Sequence, residues 1–306
     1  MAFDADALTE RRRLKRRLAG WRAGAILLAV AAVLVALNAG GKGLRGLFGG
    51  AHVARITISG IILEDAKRDA ALAALADDAE TKAVLVHISS PGGSTFGGES
   101  LYIGLRRIAA KKPVVAIIDT LGASAAYMTA IAADRIYARE SSITGSVGVL
   151  FQLAEFSKLM EKLGVKEETV KSGTLKAEPS PFAPMSDQAR AYTQTLVDET
   201  FHWFIGLVGE RRKLSDEQIK RISDGRIVLG RNALELGLID QIGGEGEART
   251  WLAEAKGVRR NLPIEDVTWG KLSTGWFDLV NEAFGKAVLP ERLRLDGLIS
   301  VWHPDR

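Results

Sequence analysis

The chain has 306 residues, of which 47% are hydrophobic and 25% charged, so it can form one large α/β domain or two small ones with a proper core. It contains no cysteine, which excludes disulfides, thiol chemistry and a cysteine-linked lipid anchor. The pI of about 9.2 arises from residues 1–22, because the rest of the chain carries equal numbers of basic and acidic side chains. The high pI is therefore not evidence that the body of the chain binds nucleic acid.

An uncharged run of 19 residues, from 23 to 41, follows this basic tail. At a rise of ~1.5 Å per residue it spans roughly 28 Å, about the hydrocarbon thickness of a bilayer. Trp21 lies where an interfacial anchor is expected, and the positive-inside rule assigns residues 1–22 to the cytoplasm. The sequence predicts a single-pass, uncleaved transmembrane helix in the inner (plasma) membrane, with the rest of the chain on the outer face. A cleaved signal peptide and a buried core helix are the alternatives.

The remaining chain divides into three parts by composition. Residues 42–51 are glycine-rich and predict a flexible linker. Residues 52–256 alternate strand and helix patterns, which predicts one α/β domain with a mainly parallel sheet covered by helices. Residues 257–306 form a C-terminal arm rich in Trp and Phe, expected to pack over the core or a neighbouring subunit, with membrane-surface contact as the alternative.

Apolar and β-branched runs predict strands at 53–59, 83–88, 113–118, 135–138 and 147–151. Helical spacing predicts helices at 67–76, 97–111, 155–163, 187–213 and 215–223, together with a helix that begins near Ser124. Residues 166–171 are predicted to be extended.

The first motif with chemical potential is the segment Ser89–Ser94, which reads SSPGGS and follows an apolar strand. The succession of a strand, Pro-Gly-Gly and a helix predicts a tight turn whose backbone can come close to a ligand. Its N–H groups would point at a developing oxyanion near a helix N-terminus. Taken alone, the motif also fits an ordinary turn.

The second motif surrounds Ser124 with small residues, in Gly122-Ala123-Ser124-Ala125-Ala126. A serine between a buried strand and an Ala-rich helix lets a substrate backbone approach its Oγ, and the N–H of Ala125 becomes a candidate oxyanion donor. The plainer interpretation is that Ser124 is a helix N-cap, and the two roles are compatible.

The third element is Lys176, 52 residues after Ser124, in a proline-containing loop with small and polar neighbours. A serine hydroxyl needs a base, and a lysine amine can serve when burial lowers its pKa. The competing interpretation is a solvated surface lysine. The four histidines show no triad or carboxylate-paired setting in the sequence. No metal-ligand spacing and no nucleotide-binding loop is found, so neither a metal nor a cofactor is expected.

Five motifs together resemble the bacterial signal peptide peptidase A family: SSPGGS, GASAAYMTAIAADRIYA, SSITGSVGV, KSGTLKAEPSPF and DGRIVLGRNALELGLIDQIGG. They occur in the family's order between about residues 52 and 256. The resemblance implies an α/β Clp protease/crotonase-like domain, a ββα spiral, and a membrane-anchored serine–lysine protease that acts on peptides and assembles as a homo-oligomer.

By this resemblance, Ser124 matches the nucleophile, Lys176 the general base and Ser146 the serine that orients the lysine. Gly93 and the N–H of Ala125 match the oxyanion hole. Where the family typically has Gly-Gly after the nucleophile, this chain has Ala125-Ala126, and the added methyl groups bear on substrate preference. His87 and Ser89 also replace residues that are common before the Pro-Gly-Gly turn.

The expected function is cleavage of signal-peptide remnants or similar hydrophobic peptides. An alternative within peptidases is cleavage of specific membrane-protein segments with a stomatin-like partner. A crotonase-type acyl-CoA enzyme would share the glycine oxyanion hole, but an externally tethered domain argues against cytosolic acyl-CoA substrates. A non-catalytic membrane scaffold that binds peptides is the alternative from another functional class.

Overall fold

The computed structural model describes residues 14–15, 17–29, 50–269 and 299–301. The chain divides into two compact units, Met1–Gly50 and Ala51–Arg306. In the first unit residues 17–29 are helical and exposed. Within the described ranges, no helix combines the length and apolarity needed to cross a bilayer. The predicted span 23–41 continues outside those ranges from residue 30.

The second unit alternates strands and helices. Its strands are β1 (His52–Ile62), β2 (Thr81–Ser94), β3 (Val114–Ala123), β4 (Arg135–Ala138), β5 (Ile143–Gly145), β6 (Ile227–Leu229), β7 (Gln241–Ile242), β8 (Ile264–Asp266) and β9 (Ile299–Val301). Its helices are α1 (Ala66–Asp77), α2 (Thr95–Ala109), α3 (Ala125–Ala130), α4 (Ser157–Lys162), α5 (Asp187–Arg212), α6 (Asp216–Ile222), α7 (Gly230–Glu235) and α8 (Glu245–Lys256).

One sheet runs through this unit in the order β6-β5-β3-β2-β1-β8, with β4 and β9 joined to its central strands. The pairs β1–β2, β2–β3, β3–β4 and β3–β5 are parallel, whereas β5–β6 and β2–β9 are antiparallel. The prediction of a mainly parallel α/β sheet covered by helices is therefore confirmed. β3 forks, since Val115–Ile118 pairs with β4 and Leu121–Ala123 pairs with β5.

Both faces of the sheet are covered, which explains why its central strands are almost wholly apolar. Val84, Val86 and Ile88 of β2 face the larger core beneath α1, α2 and α3. The alternate residues Ala83 and Leu85 face α8 and pack with its Leu252. The ends of β2 and β3 are consequently held on a rigid support.

Two sequence predictions are wrong. Pro-Gly-Gly does not form a turn, because β2 continues to Ser94 and pairs with Ile61 and Ile62 of β1 through Gly92 and Gly93. A strand at 147–151 is also absent. The strand forms earlier, at β5, and ends where Ser146 takes a positive φ of 50° and donates its N–H to the Arg226 carbonyl at 2.8 Å.

Candidate active site

Ser124 lies at the sharp junction between β3 and α3. Its φ of 58° and ψ of −122° are unusual for a residue with a side chain, and such strain costs on the order of 1–3 kcal/mol. Its N–H donates to the Gly145 carbonyl and its carbonyl accepts from the Met128 N–H, both at 2.9 Å. Although Ser124 occupies the N-cap position, its side chain makes no capping hydrogen bond. Capping therefore does not account for the strained backbone.

The helix after Ser124 is fully buried over its six residues. It approaches α2 closely at Gly98, where an added Cβ would lie 2.9 Å from the Ala125 Cβ and 3.2 Å from the Met128 Sδ. Small residues on both helices thus fix the position of the Ala125 backbone.

Gly98→Ala is expected to push the two helices apart and to lower peptide hydrolysis several-fold, because the added methyl group has no free space next to Ala125. Gly104→Ala serves as a control on the same helix, where the nearest atom is the flexible Leu72 Cδ1 at 2.8 Å. Steady-state kinetics check the prediction, and equal rates for the two variants would contradict it.

Gly93 is held against the end of β1. A Cβ on Gly93 would lie 1.8 Å from the Ile62 carbonyl oxygen, so no residue with a side chain fits there without moving the backbone. Ser94 follows as the N-cap of α2, and its Oγ accepts the Gly97 N–H at 3.0 Å. Gly93 therefore lies one residue before a capped helix N-terminus.

An extended segment lies along the other edge of Gly93. The pairing of β2 with β3 ends at Ser90 and Gly122, because β3 then diverges toward Ser124. The edge left open at Gly92–Ser94 is taken by β9, which runs antiparallel to it, with Gly93 opposite Ser300. Since β1 covers the opposite edge, β9 lies on the side of β2 from which β3 departs.

Ser146 ends the strand next to β3. Ala123 pairs with Gly145 in the parallel strands β3 and β5. Ser124 and Ser146 directly follow these two residues, so both serines lie at the ends of neighbouring strands. Both serines are buried, with exposed fractions of 1% and 9%. The structure thus collects Gly93, Ser124, Ala125 and Ser146 at the ends of β2, β3 and β5.

Lys176 is not part of this buried group. It lies in an exposed segment and its N–H donates to the Gly173 carbonyl at 3.1 Å. The burial expected for its amine is therefore not found in the single chain. Glu178, the nearest acidic residue in sequence, is paired with Lys171, and this hydrogen bond holds the pKa of Glu178 below its usual range.

Two other titratable side chains, Tyr127 and His87, are unsuited to act as the base for Ser124. Burial raises the pKa of Tyr127, whose hydroxyl donates to the Leu238 carbonyl at 2.8 Å, so this group stays neutral. His87 lies between two carboxylates, with Nδ1 at 3.1 Å from Asp119 and Nε2 at 3.0 Å from Glu245. The sequence prediction that no histidine is carboxylate-paired is wrong, because these partners are far away in sequence.

His87 alternates along β2 with the residues of the larger core and therefore faces α8, on the opposite side of the sheet from α3. It is not a candidate base for Ser124. Among the described residues, no group of three His, Cys, Asp or Glu side chains is arranged to hold a metal ion.

Residues 106–259, half of the chain, match the model of Peptidase family S49. The chain belongs to peptidase family S49. The match includes Ser124, Ser146 and Lys176, whereas Gly93 lies before it. The resemblance to the signal peptide peptidase A family is thereby confirmed, and this S49 member is a serine protease.

The chain is similar to individual proteins over much of its length. The MJ0651 protein of Methanocaldococcus jannaschii is 36% identical over 255 residues, covering 78% of this chain and 82% of its own. The chloroplastic serine protease SPPA of Arabidopsis thaliana is 28% identical over 222 residues, covering 71% of this chain and 32% of its own. A mutant of the 1510-N membrane-bound stomatin-specific protease aligns with 72% of this chain and all of its own, at 12% identity and a TM-score of 0.47.

Proposed function

We propose that this S49 peptidase is a membrane-anchored serine endopeptidase on a Clp protease/crotonase-like domain, with Ser124 as nucleophile and Lys176 as general base. Its substrates are signal-peptide remnants or similar hydrophobic peptides. Support comes from the buried, strained Ser124 beside the tightly packed Gly93, from Ser146 on the adjacent strand and from membership of the family.

The chemistry begins when neutral Lys176 removes the proton from the Ser124 hydroxyl as its oxygen attacks the scissile carbonyl. The N–H groups of Gly93 and Ala125 stabilise the oxyanion, a contribution of about 3–4 kcal/mol per donor. The protonated lysine then passes its proton to the leaving amine as the C–N bond breaks. Water, deprotonated by the same lysine, hydrolyses the acyl-enzyme and restores the serine. Ser146 orients the lysine amine between these steps.

The observation that carries the proposal is the position of β9. An extended peptide backbone already lies antiparallel along Gly92–Ser94, at the edge that β3 leaves where Ser124 begins. Backbone pairing of this kind binds many sequences, because main-chain hydrogen bonds supply affinity and side-chain pockets supply specificity. A strand edge that pairs with an extended backbone suits a polypeptide substrate, and this favours peptide hydrolysis over an acyl-CoA reaction.

We further propose that a neighbouring subunit completes the site. The segment from 150 to 182 exposes seven large apolar side chains: Leu150, Phe156, Leu159, Leu163, Val165, Val170 and Phe182. Apolar exposure on this scale is typical of a surface that another protein covers. Covering it with a second copy of the chain would desolvate Lys176 and favour its neutral form.

The membrane assignment extends the same proposal. The basic residues of the N-terminus and the apolar run 23–41 would anchor the chain in the inner membrane with the peptidase domain on the outer face. Cleavage of specific membrane-protein segments, with a stomatin-like partner, stays the alternative for the substrate. Family membership and the intact serines and lysine favour catalysis over a non-catalytic scaffold.

The direct test is hydrolysis by the full-length protein in detergent of two peptides, one with an apolar signal-peptide core and one polar peptide of equal length. We expect cleavage of the apolar peptide and no hydrolysis of an acyl-CoA thioester. Thioester hydrolysis without peptide cleavage would overturn the proposal in favour of the crotonase-type reaction.

Removal of β9 by truncation after residue 298 is expected to increase kcat/KM several-fold, mainly through a lower KM, because the peptide no longer competes with an internal strand for Gly92–Ser94. Ser300→Ala is the matched control, since it keeps the backbone that pairs. A truncated protein with unchanged or higher KM would contradict the view that substrate takes this edge.

A further inference from the structure

A buried arginine supports the backbone above Gly93. Arg68, in the first turn of α1, is 5% exposed, and its Nη1 donates to the Leu63 carbonyl at 2.9 Å. Its Nε donates to Asp69 Oδ1 at 3.1 Å. Leu63 directly follows β1, so the guanidinium holds the chain at the point where that strand ends.

The carbonyl that Arg68 holds is one residue beyond the Ile62 carbonyl, which packs against the proposed oxyanion segment. Ile62 pairs with Gly93, and a Cβ added to Gly93 would lie 1.8 Å from the Ile62 carbonyl oxygen. In the first turn of α2, a Cβ added to Gly97 would lie 3.0 Å from the Leu63 carbonyl carbon. The successive carbonyl groups of Ile62 and Leu63 therefore lie against Gly93 and Gly97, and Arg68 bonds the second of these carbonyls.

The contacts close into a ring. Asp69 accepts a hydrogen bond from the Ser100 hydroxyl, with Oγ at 2.5 Å from Oδ2, and Ser100 belongs to α2. The path runs from Leu63 through Arg68 and Asp69 to Ser100, and then back along α2 to Gly93. We name these three side chains, Arg68, Asp69 and Ser100, the clamp.

Stability alone is a weak reason for this arrangement. The buried Nη2 atom of Arg68 lies 3.1 Å from Asp69 Oδ1 but makes no well-directed hydrogen bond among the described residues, so the hydrogen-bonding capacity of the guanidinium is not fully used. Buried ion pairs are often replaceable by apolar residues of similar volume without loss of stability. A planar guanidinium, in contrast, fixes two acceptors in a rigid geometry.

We propose that Arg68 is a positioning residue that sets the direction of the Gly93 N–H by holding the Leu63 carbonyl, and with it the adjacent Ile62 that pairs with Gly93. The inference rests on the proposed function, in which Gly93 donates to the oxyanion. Loss of the clamp should therefore weaken transition-state stabilisation more than binding of the unreacted peptide, because the oxyanion exists only during reaction.

The test compares Arg68→Met, Arg68→Lys and Ser100→Ala in the full-length protein, with Lys67→Met as the matched control on an exposed neighbour in the same helix. Rates are normalised to active sites titrated with a fluorophosphonate. We expect Arg68→Met to lower kcat by about 10–100-fold, less than the roughly 10²–10³-fold loss on removing one oxyanion donor, because the donor is misdirected and not removed, with KM nearly unchanged. Arg68→Lys and Ser100→Ala should show smaller losses of kcat, and Lys67→Met should behave as wild type.

Two further readouts separate positioning from folding. A peptide aldehyde, which forms a tetrahedral adduct, should lose affinity in parallel with kcat, whereas a non-cleavable peptide should bind as in wild type. Amide hydrogen exchange across residues 88–96 should increase in Arg68→Met and not in Lys67→Met. If Arg68→Met does not fold, Arg68→Lys and Ser100→Ala decide the outcome by the same measurements.

The inference is overturned if the folded clamp variants keep wild-type kcat per titrated site, or if kcat and peptide affinity fall together. Absence of peptide hydrolysis by the wild-type protein would instead refute the proposed function. In that case unchanged hydrogen exchange in the clamp variants would refute the clamp, and increased exchange would support its structural part alone.

Discussion

Ser124→Ala is expected to reduce peptide hydrolysis by a factor on the order of 10⁴ or more, because the acyl-enzyme cannot form without the hydroxyl. The fold should be retained, since alanine is smaller than serine and fits the buried position without displacing its neighbours. Steady-state kinetics with the apolar peptide and a thermal denaturation curve measure the two effects.

Ser215→Ala provides the opposite control. Ser215 caps α6 through a complete capping box with Gln218, so its loss should cost about 1 kcal/mol of stability and leave kcat unchanged. A Ser124→Ala protein that retains a tenth of wild-type activity would exclude Ser124 as the nucleophile.

Lys176→Ala is expected to be nearly as inactive as Ser124→Ala, and the double variant no worse than either, because both groups serve the same step. Lys166→Ala, an exposed lysine of the same segment, should be fully active. The wild-type rate should rise toward alkaline pH, since only the neutral amine accepts a proton. A Lys176→Ala protein with substantial activity and the same pH profile would contradict the assignment.

The exposure of Lys176 in the single chain motivates a mixing experiment with the two inactive variants. If the serine and lysine of one site come from different subunits, a mixture of Ser124→Ala and Lys176→Ala proteins regains part of the wild-type rate. If both come from one chain, the mixture stays inactive, and desolvation of Lys176 then requires movement of its own segment.

Most helices were predictable because their periodicity and caps are local. The sequence predicts a helix at 187–213, and α5 extends from Asp187 to Arg212. The sequence predicts a helix at 215–223, and in the structure Ser215 is the N-cap of α6, with a capping box. Signals of this kind lie within a few residues and do not depend on tertiary contacts.

Strand ends were less predictable. Pro-Gly-Gly favours a turn by local rules, but β1 supplies a partner through Gly93 and extends β2 to Ser94. The partner at this point is 31 residues away in sequence, between Ile62 and Gly93. Tertiary pairing therefore overrides the local preference.

Only part of the candidate site could be predicted from the sequence. Small residues around Ser124 indicate close approach of a backbone, and the structure packs Ala125 against Gly98 as such residues allow. No periodic or compositional pattern in the sequence indicates that β9 pairs with Gly93 or that Arg68 contacts Leu63. Local patterns do not encode contacts of this kind.

The most direct test of the serine–lysine assignment is mass spectrometry of the full-length protein after reaction with a fluorophosphonate. We expect one covalent adduct, on Ser124, that forms rapidly in the wild type and much more slowly in Lys176→Ala. An adduct on another serine, or an enzyme that cleaves peptides while Ser124 stays unmodified, would contradict it.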